Sequence, residues 1–303
     1  MTVNQAFYET ICHYAEGDLG EAIRAAQSIA GQGELYVQAV RWLEQVAQSS
    51  RTGAYQDADA FETFIRSGGN MAMYAALERM VATAWDTYHP TTILDIGSGD
   101  GRLISGVLRY TQLRSLPALN LVEPSGSLLA RALEQLSRHD PPVKTQGLNR
   151  TIQDLMDEAP STAHWDLCQA TWSLHNLASD ERALLFRWLR DRCSILLVAE
   201  FDVQAEAYPL LSWERIRLIH DRYLVGVAVY TGHMDPALEE RVKQGFLMPI
   251  LFGYFRSDSS RSTYEQTIGS WSAEIQAGGF GPPKQQLIYH YWWADAFLLT
   301  AHS

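Results

Sequence analysis

The chain has 303 residues, of which 47% are hydrophobic, and a formal net charge of −11 at pH 7. This length accommodates one domain with additions, and the apolar content is sufficient for a sizeable core. The acidic balance argues against partners that favour basic surfaces, namely nucleic acid and anionic membranes.

Cysteine usage and the N-terminal sequence predict the compartment. Cys12, Cys168 and Cys193 show no CxxC spacing, which fits a reducing compartment and not a disulfide framework. The N-terminus lacks the basic and apolar segments of a secretory signal, and no apolar run approaches the ~20 residues of a membrane span. We therefore expect a cytoplasmic protein that does not enter a membrane.

Within the N-terminal region 1–64, residues 1 to about 50 carry apolar side chains at helical spacing, with a break at Gly31 and Gly33. Residues 49–60 are polar and predict a loop, and a short helical turn follows at 61–65. The region contains no cluster of catalytic side chains. We expect a helical cap that forms a homodimer; a lid over the active site is a compatible alternative.

The segment 91–106 has the pattern of a strand, a tight turn and a helix. The apolar run at 93–96 is followed at once by Gly97, Gly99 and Gly101, and then by apolar residues at helical spacing. Glycines at such a turn let the backbone approach a ligand closely. A second short strand ends at Glu123, where a carboxylate can bind both hydroxyls of a ribose.

The sequence DIGSGDG at 95–101 resembles motif I of the class I S-adenosylmethionine-dependent methyltransferases. It departs from the dinucleotide pattern GxGxxG because Arg102 stands where the third glycine is required. The resemblance covers residues 65–303 and implies S-adenosyl-L-methionine as the cofactor. A nicotinamide oxidoreductase would need the missing glycine.

Strands and helices alternate after residue 91, which predicts an α/β fold with a doubly wound, mostly parallel sheet. The resemblance implies a Rossmann-like sheet of seven strands whose last two form a hairpin. The predicted strands are 92–96, 119–122, 143–146, 166–170, 194–201, 283–293 and 296–301. A helix is predicted at 263–277, and the aromatic-rich segment 203–262 is predicted to be a helical insertion that forms a substrate lid.

The resemblance also implies which residues bind the cofactor. Backbone amides of the glycine turn would surround its methionine half, Asp95 would face its ammonium, and Glu123 its ribose. Ile152 would lie beneath the adenine ring and Gln153 at its edge, with Asp154 as the competing choice. The full predicted set is Asn70, Asp95, Gly97, Ser98, Gly99, Glu123, Pro124, Ile152, Gln153 and Ala170.

Catalysis needs an aligned nucleophile in a water-poor site and, for a carbon nucleophile, a base. His175 and Glu200 are the first candidates for the general base, and His290 is a third. The candidates for substrate binding are Tyr74, Trp172, His220, Tyr223, His233 and Tyr254, with Arg66 beside them. A metal site from His233 and His290 with Glu200 or Asp202 stays open, since no metal-ligand spacing supports it.

The segments FETFIRSGGN at 61–70 and IYHYWWADAFLLTA at 288–301 resemble a narrower bacterial group that methylates carbon in small metabolites. The leading expectation is therefore methyl transfer to carbon of an indole or a 2-oxo acid in specialised metabolism. Methyl transfer to oxygen or nitrogen of a small aromatic metabolite is the alternative within the class. A non-catalytic module that binds S-adenosylmethionine is the alternative of another class.

Overall fold

The computed structural model describes residues 2–48, 58–256 and 263–303; the side chains at 58, 59, 61 and 62 are not described. The predicted loop at 49–60 therefore lies mostly outside the described residues. The chain forms two compact units. The first, called the helical unit, comprises residues 1–71, 203–262 and 291–294. The second, called the sheet unit, comprises residues 72–202, 263–290 and 295–303.

The sheet unit is built on seven strands in the order β3-β2-β1-β4-β5-β7-β6. All neighbours pair in parallel except β7, which is antiparallel to both β5 and β6. The strands are β1 Thr92–Ile96, β2 Ala118–Val122, β3 Thr145–Leu148, β4 Trp165–Thr171, β5 Cys193–Phe201, β6 Lys284–His290 and β7 Asp295–His302. This topology confirms the predicted Rossmann-like sheet and its terminal hairpin.

The helices follow the same alternation in the sheet unit. In chain order they are α1 Val3–Glu16, α2 Leu19–Gln27, α3 Glu34–Gln48, α4 Ala58–Ile65, α5 Asn70–Tyr88, α6 Arg102–Tyr110, α7 Gly126–Ser137, α8 Ile152–Glu158, α9 Ser179–Arg190, α10 Trp213–Val229, α11 Pro236–Val242, α12 Met248–Gly253 and α13 Ile268–Ala277. None of them, in the described part of the chain, combines the length and apolar character that a membrane span needs.

Two predicted elements are displaced, and the strand predicted at 283–293 ends earlier, at His290. The third strand lies two residues later than predicted, because the segment pairs with β2 from Thr145 to Leu148 and its own apolar alternation is weak. The helix predicted at 263–277 begins only at Ile268. The Thr267 side chain accepts the backbone N–H of Ser270 and caps that helix, so residues 263–267 approach it as a non-helical segment.

The sheet unit has an apolar core against α8, α9 and α13. Leu196 of β5, Phe186 of α9 and Trp271 of α13 belong to one buried cluster in which each is at most 1% exposed. Leu94 of β1 belongs to the same cluster. Because the central strands are covered by apolar contacts, polar side chains at their carboxyl ends stand out as candidates for function.

Candidate active site

The candidate site lies in the sheet unit, where β1, β2, β4 and β5 end. The loop after β1 contains the glycine turn, and β2 ends beside Glu123. The loop after β4 carries His175, and Glu200 lies near the end of β5. Parallel strands place their carboxyl ends at one edge of a sheet, which is where open α/β folds bind ligands. The predicted cofactor-binding residues after β1 and β2 and the predicted bases at β4 and β5 thus lie at the same edge of the sheet.

The glycine turn is held against β2 by its own backbone. The amides of Gly97 and Ser98 both donate to the carbonyl of Val122, at 2.8 and 3.2 Å. Gly97 has φ +73°, and a Cβ there would stand 2.5 Å from the Cβ of Ser173. Gly99 has φ +56°, and a Cβ there would meet no atom within 4 Å. The turn is therefore packed at Gly97 and open at Gly99.

Glu123 is 7% exposed and is fixed by backbone amides. Gly99 donates to its Oε2 at 3.0 Å, and Ser125 donates to its Oε1 at 2.9 Å. Each carboxylate oxygen can accept a further hydrogen bond, so the pair can still receive a diol. Asn149, which the sequence prediction did not include, donates to the carbonyls of Glu123 and Pro124 at 3.0 and 2.9 Å. The Asn149 side chain thereby ties the loop after β3 to the end of β2.

Asp95 is 3% exposed and accepts a hydrogen bond from Gln169 on its Oδ1 at 3.1 Å. Burial raises the pKa of Asp95 to about 7, and the charge of Glu123 adds to the rise against the opposing effect of the Gln169 hydrogen bond. Gln169 in turn accepts a hydrogen bond from the indole of Trp85 at 3.2 Å. The sequence prediction did not include Gln169 or Trp85. The available signal was a glutamine within the otherwise largely apolar strand β4.

Asp95 and Glu123 are two buried carboxyl groups that lie close enough to interact electrostatically. Among the described residues, Asp95 and Glu123 form no ion pair with any lysine or arginine. A buried charge without a partner is costly, so such a pair is usually balanced by a ligand or neutralised by protonation. The Ser98 hydroxyl is also buried without a hydrogen-bond partner in the described part of the chain. These features fit a ligand that brings positive charge and several hydrogen-bonding groups.

The residues predicted around the adenine lie at the start of α8. Ile152 is 6% exposed, and Gln153 donates its side-chain amide to Glu181 at 2.9 Å. Asp154 accepts from the backbone and hydroxyl of Thr151, and so completes the capping box of the helix. That role accounts for Asp154 without a ligand. Ala170 is buried in β4 beside Ile96 of β1.

His175 and Glu200, the first two candidates for the base, form a pair. The Nδ1 of His175 lies 3.0 Å from the Glu200 carboxylate, and the backbone amides of Leu174 and His175 donate to the same carboxylate at 3.1 and 3.2 Å. The His175 side chain is 16% exposed and that of Glu200 is 1% exposed. Burial alone lowers the pKa of His175, but the charge and hydrogen bond of Glu200, with the charge of Glu265, raise it to about 9.

The loop that carries His175 is anchored on two sides. Ser173 donates its hydroxyl to the carbonyl of Ile96 at 2.7 Å, which joins the loop to the glycine turn. On the other side the backbone amide of Tyr264 donates to the carbonyl of His175 at 2.6 Å. Arg182 holds that segment by donating to the carbonyl of Tyr264 at 3.1 Å and pairs with Glu274 of α13. His175 is thus positioned through Ser173 on one side and through the Tyr264 segment on the other.

Trp172, three residues before His175 in the same loop, sits among aromatic rings. Its φ of +51° is unusual for a bulky residue and is maintained by a hydrogen bond from its amide to Ala199 at 2.9 Å. The ring of Tyr74 meets its indole edge-on at 4.7 Å, and Phe201 stacks on it at 5.8 Å. Two predicted substrate residues, Tyr74 and Trp172, are therefore in contact.

Other predicted residues belong to the turn between β6 and β7 or to the helical unit. His290 is exposed and pairs with Asp295 at 2.9 Å, at the turn between β6 and β7. Asn70 belongs to the helical unit, where its amide donates to the hydroxyl of Tyr230 at 3.1 Å. The helical unit also contains the remaining substrate candidates His220, Tyr223, His233 and Tyr254. As for a metal site, no group of three or more His, Cys, Asp or Glu side chains that could hold a metal ion occurs within residues 2–48, 58–256 and 263–303.

The helical unit gives these four residues structural contacts. His220 is buried and bonded to Tyr36 at 2.9 Å, and burial lowers its pKa. Tyr223 is 1% exposed and packs edge-on against Trp292, while Tyr254 stacks on Trp293. His233 is exposed, and its backbone amide donates to Glu239. Their assignment to substrate binding remains a prediction.

Comparison with known proteins shows the fold. No protein-family model and no curated protein matches the sequence. Solved structures do match: SCL7 from Oryza sativa is 12% identical, with a TM-score of 0.72 over 100% of both chains. The mitomycin 7-O-methyltransferase MmcR is 17% identical, with a TM-score of 0.50 over 94% of this chain and 71% of MmcR. The chain shares the Rossmann-like fold of these structures.

A third structure shows how chain lengths differ. The putative O-methyltransferase from Nostoc punctiforme PCC 73102 is 13% identical, with a TM-score of 0.49 over 78% of this chain. The chain spans 58% of the length of that protein. At the identities of SCL7 and MmcR the likeness shows the fold alone.

Proposed function

We propose that the protein is an S-adenosylmethionine-dependent methyltransferase that acts on a small molecule. The observation that carries this proposal is the contact at Ser173, which joins the glycine turn to the loop of the His175–Glu200 pair. A ligand-binding turn and a buried acid–base pair are therefore neighbours at one edge of the sheet. Such a juxtaposition is what a transfer reaction between a cofactor and an acceptor requires.

The negative charge offered by Asp95 and Glu123 supports S-adenosylmethionine as the cofactor. Asp95 and Glu123 are buried acids without cationic partners in the described part of the chain. S-adenosylmethionine carries a sulfonium and an ammonium, so its positive charge complements them, whereas the diphosphate of a nicotinamide dinucleotide would be repelled. Glu123 would hold the ribose hydroxyls, Asp95 the ammonium, and the open backbone at Gly99 would allow close approach. When bound, the cofactor supplies an electrophilic methyl group.

The His175–Glu200 pair supports a methyl acceptor that must lose a proton. His175 can take that proton, and Glu200 stabilises the resulting imidazolium while it fixes the orientation of the ring. The aromatic group of Tyr74, Trp172 and Phe201 offers flat apolar surface on the segments that carry the pair, since Trp172 precedes His175 in the same loop and Phe201 follows Glu200 in β5. Acceptors with an acidic C–H or O–H, such as enolisable 2-oxo acids, indoles and phenols, fit this arrangement.

Carbon methylation remains our leading candidate because of the motifs at 61–70 and 288–301. Oxygen methylation is the second candidate, and the fold likeness to MmcR, a 7-O-methyltransferase, favours it. Both use the same base, so the acceptor atom distinguishes them. We also propose a homodimer, a helical cap at 1–64 and a lid at 203–262, as the sequence predicts.

The competing function is a non-catalytic module that binds S-adenosylmethionine. The match to SCL7 over the full chain does not decide between this module and an enzyme, since a fold is compatible with either. The His175–Glu200 pair favours the enzyme, because binding alone does not need a buried proton acceptor. Cofactor affinity and turnover therefore have to be measured separately.

Calorimetric titration with S-adenosylmethionine, S-adenosylhomocysteine and NADH tests which cofactor the protein binds. Binding of the first two and not the third is expected, whereas binding of NADH alone would overturn the proposal. His175→Asn should retain that affinity and lose methyl transfer by a factor of about 10²–10⁴, the usual contribution of a general base. His164→Asn is the matched control, since this exposed histidine lies before β4 and away from the pair.

A further inference from the structure

Three buried polar side chains form a line through the sheet unit. The indole of Trp85 donates to Oε1 of Gln169 at 3.2 Å, and Nε2 of Gln169 donates to Oδ1 of Asp95 at 3.1 Å. Trp85 and Gln169 are fully buried, and Asp95 is 3% exposed. Gln169 and Asp95 are also direct neighbours in the register of β4 and β1. Such polar groups are costly in a core unless each is satisfied.

The hydrogen bonds of this line can run in only one direction, from Trp85 through Gln169 to Asp95. An indole nitrogen can donate a hydrogen bond but cannot accept one, so Trp85 must face the oxygen of the Gln169 amide. The amide nitrogen then points to Asp95 as a donor. Reversing the amide would set its oxygen against the carboxylate and its N–H₂ against the indole N–H. Trp85 therefore determines which end of Gln169 meets Asp95.

We infer that Trp85 and Gln169 are positioning residues that prepare Asp95 to bind the ammonium of a cationic ligand. This inference deepens the proposed function and rests on it for the identity of that ligand. The neutral amide fixes one carboxylate oxygen without cancelling the negative charge. A lysine or arginine in place of Gln169 would form an internal ion pair and compete with the ligand.

The charged surroundings of Asp95 are consistent with this role. Glu123 at the end of β2 is the charged group that acts on Asp95, and it disfavours a second negative charge. Gln169 of β4 and Trp85 of α5 are neutral. Glu78, which is also on α5, is paired with Arg109 of α6. The Gln169 hydrogen bond is therefore the contact in this group that favours the ionised carboxylate.

The first experiment measures Asp95 itself, without any ligand. Carbon-13 NMR of labelled aspartate carboxyl groups gives the pKa of Asp95 in wild type, Gln169→Leu and Trp85→Phe. Gln169→Leu removes the one hydrogen-bond donor that the described residues offer to the Asp95 carboxyl, so it should raise that pKa by at least one pH unit, and Trp85→Phe should raise it less. Trp271→Phe is the matched control, because Trp271 is equally buried but its indole nitrogen has no hydrogen-bond partner within the described residues.

The second experiment measures affinity for S-adenosylhomocysteine, which retains the ammonium, as a function of pH. In Gln169→Leu the midpoint should move to higher pH with Asp95, and affinity at pH 7 should fall about fivefold for a shift of one unit. An unchanged Asp95 pKa in Gln169→Leu, or equal pKa changes in Trp85→Phe and Trp271→Phe, would overturn the inference. A wild type that binds neither S-adenosylmethionine nor S-adenosylhomocysteine would overturn the proposed function, while the NMR result would still decide the role of Trp85 and Gln169.

Discussion

The Nδ1 atom of His175 lies 3.0 Å from the carboxylate of Glu200, although 25 residues separate them in sequence. Glu200 is nearly inaccessible and also accepts the amides of Leu174 and His175, so the loop after β4 is folded around its carboxylate. We expect the other ring nitrogen of His175 to accept the proton in the proposed reaction. The pair has the geometry of a base and the acid that orients it.

The pH dependence of transfer should report this pair. Only neutral His175 can accept a proton, so kcat/KM should rise with pH and level off above about 9, which is the raised pKa of His175. Glu200→Gln removes the charge that raises this pKa. The rising limb should then move to lower pH by at least one unit, while the plateau falls because the imidazolium loses its partner. Initial rates between pH 5.5 and 10.5 give both quantities.

A pH profile of kcat/KM that falls at high pH would identify a different role for His175. If His175 acted as a hydrogen-bond donor in its protonated form, kcat/KM would fall above about pH 9 in wild type. A profile that Glu200→Gln leaves unchanged would show that the pair does not control the rate. His290→Gln is a useful comparison, because His290 also pairs with an acid but is exposed.

Loss of the Glu123 charge should weaken cofactor binding. Glu123→Gln retains the size of the side chain but replaces one acceptor oxygen with a donor group, which cannot accept from a ribose hydroxyl. We expect affinity for S-adenosylhomocysteine to fall by a factor of about 10–100, as is usual when a charged hydrogen bond of about 1.5–3 kcal/mol is lost. Calorimetry at pH 8 checks this. Glu134→Gln on the exposed face of α7 should have no effect, and equal losses in both variants would contradict the assignment.

Replacement of Asp95 should stabilise the fold in a pH-dependent way. The pKa of Asp95 rises from 3.8 to about 7 on folding, so the folded state holds a proton that the unfolded state releases. The associated stability is present below pH 4 and is lost as pH rises through 7. At about 1.36 kcal/mol per pH unit, the loss amounts to at most roughly 4 kcal/mol. The Asn side chain of Asp95→Asn does not ionise, so its free energy of unfolding does not fall in this way. The difference in free energy of unfolding between this variant and wild type should grow from pH 4 to pH 7.

Urea unfolding at pH 5 and pH 8 measures that advantage. A difference between Asp95→Asn and wild type that is the same at both pH values would show that burial of this charge is not the cause. Asp157→Asn, at an exposed position of α8, should give no pH-dependent difference. The same Asp95→Asn protein should bind S-adenosylhomocysteine less tightly at pH 8, since the proposed ammonium partner is gone.

The two glycines of the turn should respond differently to alanine. At Gly97 the added Cβ would stand 2.5 Å from Ser173, so Gly97→Ala should lower the melting temperature markedly. At Gly99 the space is open, and the cost is the left-handed backbone alone, about 1–2 kcal/mol. Gly99→Ala should therefore fold but lose affinity for the cofactor, whose proposed approach the methyl group obstructs. Thermal melts with and without S-adenosylhomocysteine check both expectations.

Much of the sheet was predictable from sequence because its strands are short, apolar and separated by helices of clear periodicity. The β1 bounds were correct, since Gly97 marks the end of an apolar run. The third strand was displaced because its sequence is mostly polar and its register comes from pairing with β2. The early start given to α13 failed because residues 263–267 make contacts with the loop of His175 that no local pattern indicates.

The site was predictable where a residue follows a strand. His175 and Glu200 were both named as bases, but their contact depends on the adjacency of β4 and β5, which a single sequence does not give. Asn149, Gln169 and Trp85 were missed because their roles arise from contacts between distant segments. The positive φ of Trp172 likewise has no signal in the sequence.

The central claim is methyl transfer from S-adenosylmethionine to a small acidic acceptor, and labelled cofactor tests it most directly. The protein would be incubated at pH 8.5 with S-adenosylmethionine carrying carbon-13 in its methyl group and with a panel of 2-oxo acids, indoles and phenols. We expect a new methyl signal that wild type produces and His175→Asn does not, in the carbon-bound region for the leading candidate and in the oxygen-bound region for the second. Tight binding of S-adenosylhomocysteine without any new methyl signal from the panel would contradict the account and favour a non-catalytic module.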